Sequence, residues 1–491
     1  MKLLLSVLFV VMIIYISALS ETATIGDTEF SELQAACRDD GDEMINHYYQ
    51  QCLFSANLSR EDLEIPEDEM GNRDYHGIGF YANKAMVGAI GEGQQDWQSD
   101  AKLSESYNFI LESDPILSPS YLSMSALKDS ILADGSVFSL SYALSSLSLL
   151  VDMLWYYENG DYREELAAKL DSIAYFAKEI VDNTEFGAYD YYVYGDPDET
   201  EIIDIVRFSP GYDNRRLLLL GALGYAGCVL ENREYINRVD WELLERGMTD
   251  TDIVGLLDHL TQDSGIYAEG LAYRSFSLQG LTNYFTARNR LNNLEILENL
   301  DHGVFNYYNE VHIRKMFEES FFLLCPDLTF TTFEDCRKLN IKRSDGLNPQ
   351  NIKNNNYFPF GMFEYYYQQT DQTATELLSH IEFYLNESYS NHDSYPTLLF
   401  SSYIRPLLYS YSANGNLLHE DPVIPARFQE PNYSNEEFTV LRDGLEDVTD
   451  FRENLAIWVN HENYESYKIL HEHGDQTSFT MYYKGRNLTL S

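Results

Sequence analysis

RRLLLLGALGYAGCVL, Arg215 to Leu230, carries apolar and small residues at three- and four-residue spacing, with no proline to interrupt them. That period belongs to a helix. The same spacing recurs in residues 139–157, 164–182, 252–260, 273–288 and 373–385, and short loops rich in Asp, Asn and Gly separate most of these runs. Several helices in series, each with an apolar face, suit a bundle or a toroid of antiparallel helix pairs. No repeat of fixed length supports a regular solenoid. Within the opening run, Cys228 lies among apolar residues and reads as a buried free thiol.

Outward from this helical stretch the composition changes twice. Residues 340–356 are polar and rich in Asn, the pattern of a long surface loop. After Leu408, Asn414-Gly415-Asn416 and the prolines Pro422, Pro425 and Pro431 read as a linker. Beyond it the pattern turns strand-like over 437–442, 454–460, 466–471 and 478–483, with Lys484 to Asn487 as a turn. The expected organisation is therefore a signal segment (1–20), a helical domain (21–425) and a β domain (426–491). So short a β region suggests a sandwich left incomplete at its C-terminal end.

The signal segment is read from Lys2, the apolar run Leu3 to Ile16, and the small residues Ser17-Ala18-Leu19-Ser20. A membrane anchor is the competing reading, but the run is short for a span and has no basic flank. Secretion is the expectation, with no stable membrane insertion after cleavage. Four acceptor sequons, at Asn57, Asn386, Asn432 and Asn487, would matter in a glycosylating cell. Five cysteines are too few for a disulfide scaffold and have no zinc-ribbon spacing. Cys37 with Cys52, and Cys325 with Cys336, are pairs local enough to close small loops.

A formal charge of −46 excludes general affinity for nucleic acid or anionic membrane. It also makes the placement of the few cations informative. Arg207, Arg215, Arg216 and Arg274 fall in or beside three segments that could carry chemistry. The first is Asp213-Asn214-Arg215-Arg216-Leu217, leading into Gly221-Ala222-Leu223-Gly224. The second is Glu269-Gly270-Leu271-Ala272-Tyr273, a tyrosine just after a glycine turn and at the mouth of a helix. The third is His471-Glu472-His473-Gly474-Asp475-Gln476-Thr477-Ser478-Phe479, followed by Tyr482-Tyr483-Lys484-Gly485. In an extended chain His471 and His473 point to the same side. There is no nucleophile elbow, phosphate loop or dinucleotide fingerprint.

In this order the three segments resemble the heparinase II/III-like group of polysaccharide lyases, over about residues 136–491. The resemblance implies an α/α toroid followed by an antiparallel β-sandwich, with a cleft between them that takes an acidic polysaccharide. It implies cleavage of a uronic-acid polymer by β-elimination. A base takes the C5 proton beside the uronate carboxylate, and cationic or hydrogen-bonding groups offset the charge that builds there. An acid protonates the departing glycosidic oxygen.

The resemblance assigns Tyr273 as the catalytic tyrosine and Asn214 as the amide facing the substrate carboxylate. Where many relatives have histidine, this chain has Arg215, which stays protonated and cannot act as a base but can neutralise a carboxylate through two hydrogen bonds. His471 would assist from the β domain. Glu269, Arg216 and Arg274 would contact or orient substrate. His473 would be a zinc ligand, with its companion ligands expected beyond Ser491. Competing readings stay open. Tyr273 is one of 39 tyrosines, any of which can serve packing. Glu269 can be a surface carboxylate, Arg215 and Arg216 a surface helix cap, and the two histidines solvent-facing. A uronate C5-epimerase and a noncatalytic glycan-binding protein are the alternative functions.

Overall fold

Two kinds of helix sequence build two layers. Some helices are buried nearly all round, as expected of elements packed on every side. Others bury one stripe and expose charged residues. In the computed structural model the described residues are 35, 75–92, 101–113, 136–154, 160–183, 190–194, 204–208, 214–245, 256–257, 271–291, 293–322, 432–434, 438–443, 455–460, 479–483 and 486–488.

The buried kind comprises α1 (Tyr75–Glu92), α3 (Ser136–Met153), α5 (Asn214–Val229) and α7 (Leu271–Arg290). The amphipathic kind comprises α2 (Ala101–Glu112), α4 (Gly160–Asn183) and α6 (Arg233–Leu244). In α4, Leu166, Leu170, Ile173, Ala174, Ala177, Ile180 and Val181 are buried at helical spacing, while Glu164, Glu165, Asp171 and Tyr175 are exposed. Beyond α7 come a single turn α8 (Leu294–Leu297), a 3-10 turn at Tyr307–Asn309 and α9 (Val311–Phe322).

Side-chain contacts fix the directions of these helices. Asn83 on α1 donates to Tyr142 Oη at 3.0 Å and to Ser146 Oγ at 2.8 Å on α3. A second contact, Gly79 against the Tyr142 ring, lies one turn earlier on both helices, so α1 and α3 run parallel. Tyr81 stacks on Phe109 at 4.1 Å and Lys84 pairs with Glu105 at 3.8 Å, so α1 and α2 run antiparallel. Tyr107 stacks on Tyr162 at 5.0 Å and Lys169 donates to the Ser113 carbonyl, so α2 and α4 are parallel. Gly227 packs on Tyr235 and Ile236 while Arg216 reaches Glu242, which makes α5 and α6 an antiparallel hairpin. The inner helices α1, α3, α5 and α7 are neighbours in sequence, and outer helices α2, α4 and α6 back them. The described helical part is thus a two-layered array of antiparallel pairs, and the inner helices present their N-terminal ends to one side.

The sequence reading of the helices at 139–157, 164–182, 215–230 and 273–288 matches α3, α4, α5 and α7 within a few residues. Helices α1 and α2 lie within the expected helical domain, in a stretch where no individual helix was placed. A hairpin of β1 (Asp190–Tyr194) and β2 (Asp204–Phe208) interrupts the helical region and was not expected; Tyr191 faces Arg207 across it. Cys228 is a buried free thiol, as read, and burial pushes its pKa up.

The C-terminal strands form a five-stranded antiparallel meander in sequence order. They are β3 (Asn432–Ser434), β4 (Phe438–Asp443), β5 (Leu455–Asn460), β6 (Phe479–Tyr483) and β7 (Arg486–Asn487). Val440 faces Trp458, which faces Thr480, and Arg442, Ala456 and Tyr482 form the next row. Alternation puts Phe438, Val440, Ala456, Trp458, Thr480 and Tyr482 on a buried face and Leu441, Phe479 and Tyr483 toward solvent. This is one sheet; the second sheet of the expected sandwich is not among the described residues. Also outside them lie residues 1–20, the expected helix over 373–385, the expected strand over 466–471, and Cys37, Cys52, Cys325 and Cys336. No described helix is long and apolar enough to cross a membrane.

Candidate active site

Helices α5 and α7 carry two of the three motif segments, and their packing decides how those segments stand to one another. A Cβ built on Gly221 would lie 2.6 Å from the Gly280 carbonyl oxygen and 3.1 Å from Leu281 Cα. One built on Gly280 would meet Leu218 Cδ2 at 2.5 Å, and one on Gly224 the Tyr284 ring at 2.6 Å. Contacts therefore climb together along both helices, from Leu218 with Gly280 to Gly224 with Tyr284. The two helices run parallel and in near backbone contact.

This register has a direct consequence at the helix starts. Two turns before Gly221 stands Asn214, and two turns before Gly280 stands Tyr273. The backbones of Asn214 and Arg215 open α5, and those of Tyr273 and Arg274 lie in the first turn of α7. The two motifs thus come to the same level at the same end of a parallel pair, although 59 residues separate Asn214 from Tyr273. In each first turn the backbone N–H groups lack intrahelical partners, and the helix dipole places its positive end there. Neither contains an acidic residue, in a chain that is otherwise strongly acidic. Asp213 and Glu269 stand just ahead of these turns. Such an end suits an anionic group.

Arg216 requires a correction. The reading that places it at substrate, and the reading that makes it a surface cap, both fail on burial: its side chain is 4% exposed. The guanidinium is engaged by Glu242 on α6 through Nε and through Nη2 at 2.8 Å, and Nη2 also donates to the Val181 carbonyl at 3.0 Å. Val181 lies in the last turn of α4, where carbonyls lack intrahelical partners. Arg216 thus ties the start of α5 to the end of α4 and to α6. Arg238 extends the tie, donating to Glu242 at 2.6 Å and to Asp182 at 2.5 Å. Burial would raise the Glu242 carboxyl, but the charges and hydrogen bonds of Arg216 and Arg238 outweigh it and hold the pKa below the usual value.

A second buried carboxylate, Asp240, anchors the far end of α7. It accepts from Tyr284 Oη, from Tyr307 Oη at 2.6 Å and from Arg288 Nε at 3.1 Å; Arg288 also donates to the Gly303 carbonyl at 2.7 Å. Burial, and then the Asp240 charge, raise both phenol pKa values well above normal. Tyr284 and Tyr307 are therefore proton-holding donors in the core, not bases. Sequence reading missed Asp240, Glu242, Tyr284, Arg288 and Tyr307. Arg233 to Leu244 looks like an outer helix with ordinary surface acids, and no local spacing marks partners 26 to 67 residues away.

Of the remaining predicted site residues, Glu269, His471 and His473 lie outside the described residues, so a meeting of Tyr273 with His471 is not described. A structural zinc site needs about four donors. Among the described residues no group of three or more His, Cys, Asp or Glu comes together. Zinc at His473 keeps only the support of the sequence resemblance.

No protein-family model matches the chain, and no curated protein sequence matches it. Among solved structures it is similar to a heparinase III, at 12% identity over 90% of this chain and 56% of that one, with a TM-score of 0.41. It is also similar to the Streptomyces coelicolor A3 chondroitin AC lyase in complex with chondroitin sulphate, at 11% identity over 88% and 57%, with a TM-score of 0.42. The chain spans a little over half the length of either structure.

Proposed function

We propose that this protein is a secreted polysaccharide lyase-like enzyme that cleaves a uronic-acid polymer by β-elimination. In this reading the helical array is part of an α/α toroid and the meander part of a β-sandwich. The observation that carries it is the level pairing of the α5 and α7 starts, with Asn214 and Arg215 on one and Tyr273 and Arg274 on the other. Two helix dipoles and two arginines at one end provide the electropositive surroundings that an otherwise repellent surface lacks.

The division of labour follows from the chemistry. The uronate carboxylate sits against the Asn214 amide and the Arg215 guanidinium, which withdraw charge as the C5 proton leaves. The Tyr273 phenol exchanges a proton with the sugar, as base at C5 or as acid at the leaving oxygen. Acting as the base requires nearby positive charge to favour the phenolate; acting as the acid requires the phenol to hold its proton. Arg274 and Glu269 orient the chain of sugars, and His471 completes the site from the sheet side.

The test is incubation of the full-length protein with chondroitin sulphate, heparan sulphate and alginate, following ultraviolet absorbance of the unsaturated uronate. Turnover on at least one polymer is expected, and Tyr273→Phe should lower kcat on the order of 10²–10⁴-fold. Native turnover in that variant, or no unsaturated product from any of the three, rejects the assignment.

A further inference from the structure

We propose that Gly221 and Gly280 are positioning residues for the reaction, because their contact sets the separation between the two halves of the active site. The proposal rests on the lyase reading above. It begins from a difference in what each glycine faces. A methyl group at Gly221 would run into the backbone of α7, the Gly280 carbonyl oxygen at 2.6 Å and its carbon at 2.8 Å. No side-chain rotation relieves that contact. The helices themselves must part, by about 1 Å to reach ordinary van der Waals distance. Asn214 and Tyr273 stand two turns away on two rigid rods, so the displacement passes to them undiminished. Catalytic groups tolerate little of it: a misplacement of about 1 Å can cost on the order of 100-fold in rate.

Gly280 differs in kind. A methyl there meets the tip of the Leu218 side chain, Cδ2 at 2.5 Å, with the Leu218 backbone further off at 3.2 Å. Shortening Leu218 should therefore make room, which cannot happen at Gly221. The α1–α3 pair supplies a matched control. Gly79 packs against the Tyr142 ring between two inner helices that carry none of the residues assigned to the site. An alanine at Gly79 perturbs the same layer by a side-chain clash, like that at Gly280, without moving α5 against α7.

The experiment compares Gly221→Ala, Gly280→Ala, Gly280→Ala/Leu218→Ala and Gly79→Ala with the native protein. It reads kcat and KM on whichever of chondroitin sulphate, heparan sulphate or alginate is turned over, together with thermal midpoints and crystal structures. Gly221→Ala should lower kcat about 100-fold with KM within about threefold, and should widen the Asn214–Tyr273 Cα separation by about 1 Å. Gly280→Ala should lose less, and the added Leu218→Ala change should restore most of it. Gly79→Ala should lower the thermal midpoint while leaving kcat within about threefold. If Gly221→Ala does not fold, the Gly280 pair carries the same comparison.

Native kcat and native separation in Gly221→Ala would overturn the proposal, as would an equal loss of kcat in Gly79→Ala. Failure of the lyase reading looks different. The polymers would then go uncut, or Tyr273→Phe would stay active, while the measured separations would still decide the role of the glycines.

Discussion

The two sides of α5 are joined to their neighbours by opposite means. Toward α7 the contact is neutral and close, set by Gly221, Gly224 and Gly280. Toward α4, and toward α6 at the start of α5, it is a chain of charges running Lys178, Asp182, Arg238, Glu242, Arg216, from partly exposed to fully buried, although at its far end α5 also lies close to α6 through Gly227. Short-range repulsion is steep and indifferent to solvent, so the first side fixes a distance. Ion pairs act over a longer range and cost desolvation, so the second side fixes which helix ends meet and not how closely they approach. The candidate site sits where the two meet, since Arg216 immediately follows Asn214 and Arg215.

The largest loss of stability should come from breaking the charged side at its buried end. Glu242→Ala leaves Arg216 without its carboxylate in the core and should cost about 3–5 kcal/mol in chemical denaturation. Loss of the helical circular dichroism signal at a native-like midpoint would show that the pair matters little. On the neutral side, Gly224→Ala pushes a methyl into the Tyr284 ring, which its bond to Asp240 keeps from swinging away. Overpacking of this kind should cost about 1–3 kcal/mol, a smaller loss than that at Glu242. Equal or reversed costs would mean that the two sides do not differ as described.

Acid should separate the sides further. Glu242 and Asp182 both have pKa values held below normal: burial opposes the shift in each, and arginine or lysine partners overcome it. A depressed carboxyl pKa adds stability that is fully present above the unfolded values of about 4.3 and 3.9 and disappears as pH falls through the folded values. The thermal midpoint should therefore drop between about pH 4.3 and lower values, and Glu242→Gln should flatten that drop. Gly224→Ala should shift the whole curve down without changing its slope. The smallest effect belongs to the exposed end of the chain of charges. Lys178→Ala loses partners in Asp182 at 2.7 Å and Glu234 at 3.0 Å, and should cost about 0.3–0.5 kcal/mol, less in high salt.

Much of the helical part was legible because periodicity is local. A run such as Arg215 to Leu230 states its own helix, and continuous burial or a single apolar stripe states its layer. The strands at 438–443, 455–460 and 479–483 were legible through alternation for the same reason. The β1–β2 hairpin was not, since its segments are short and the stretch between them, with the turn residues Gly195, Asp196 and Pro197, is acidic enough to read as surface loop. Arg216 shows the limit most clearly. Its type and its place beside Arg215 fitted a substrate cation, yet a carboxylate 26 residues later claims it in the core.

The sequence alone nominated residues with the chemistry for a site and marked most of the described helices and the longer strands of the terminal sheet, because side-chain identity and local spacing suffice for both. It did not determine that Asn214 and Tyr273 start neighbouring parallel helices at one level, nor that Arg216 faces inward. Those outcomes depend on which faces pack together, and that is settled by contacts between residues far apart in the chain: three glycines that let two backbones touch, and two carboxylates whose burial requires arginines.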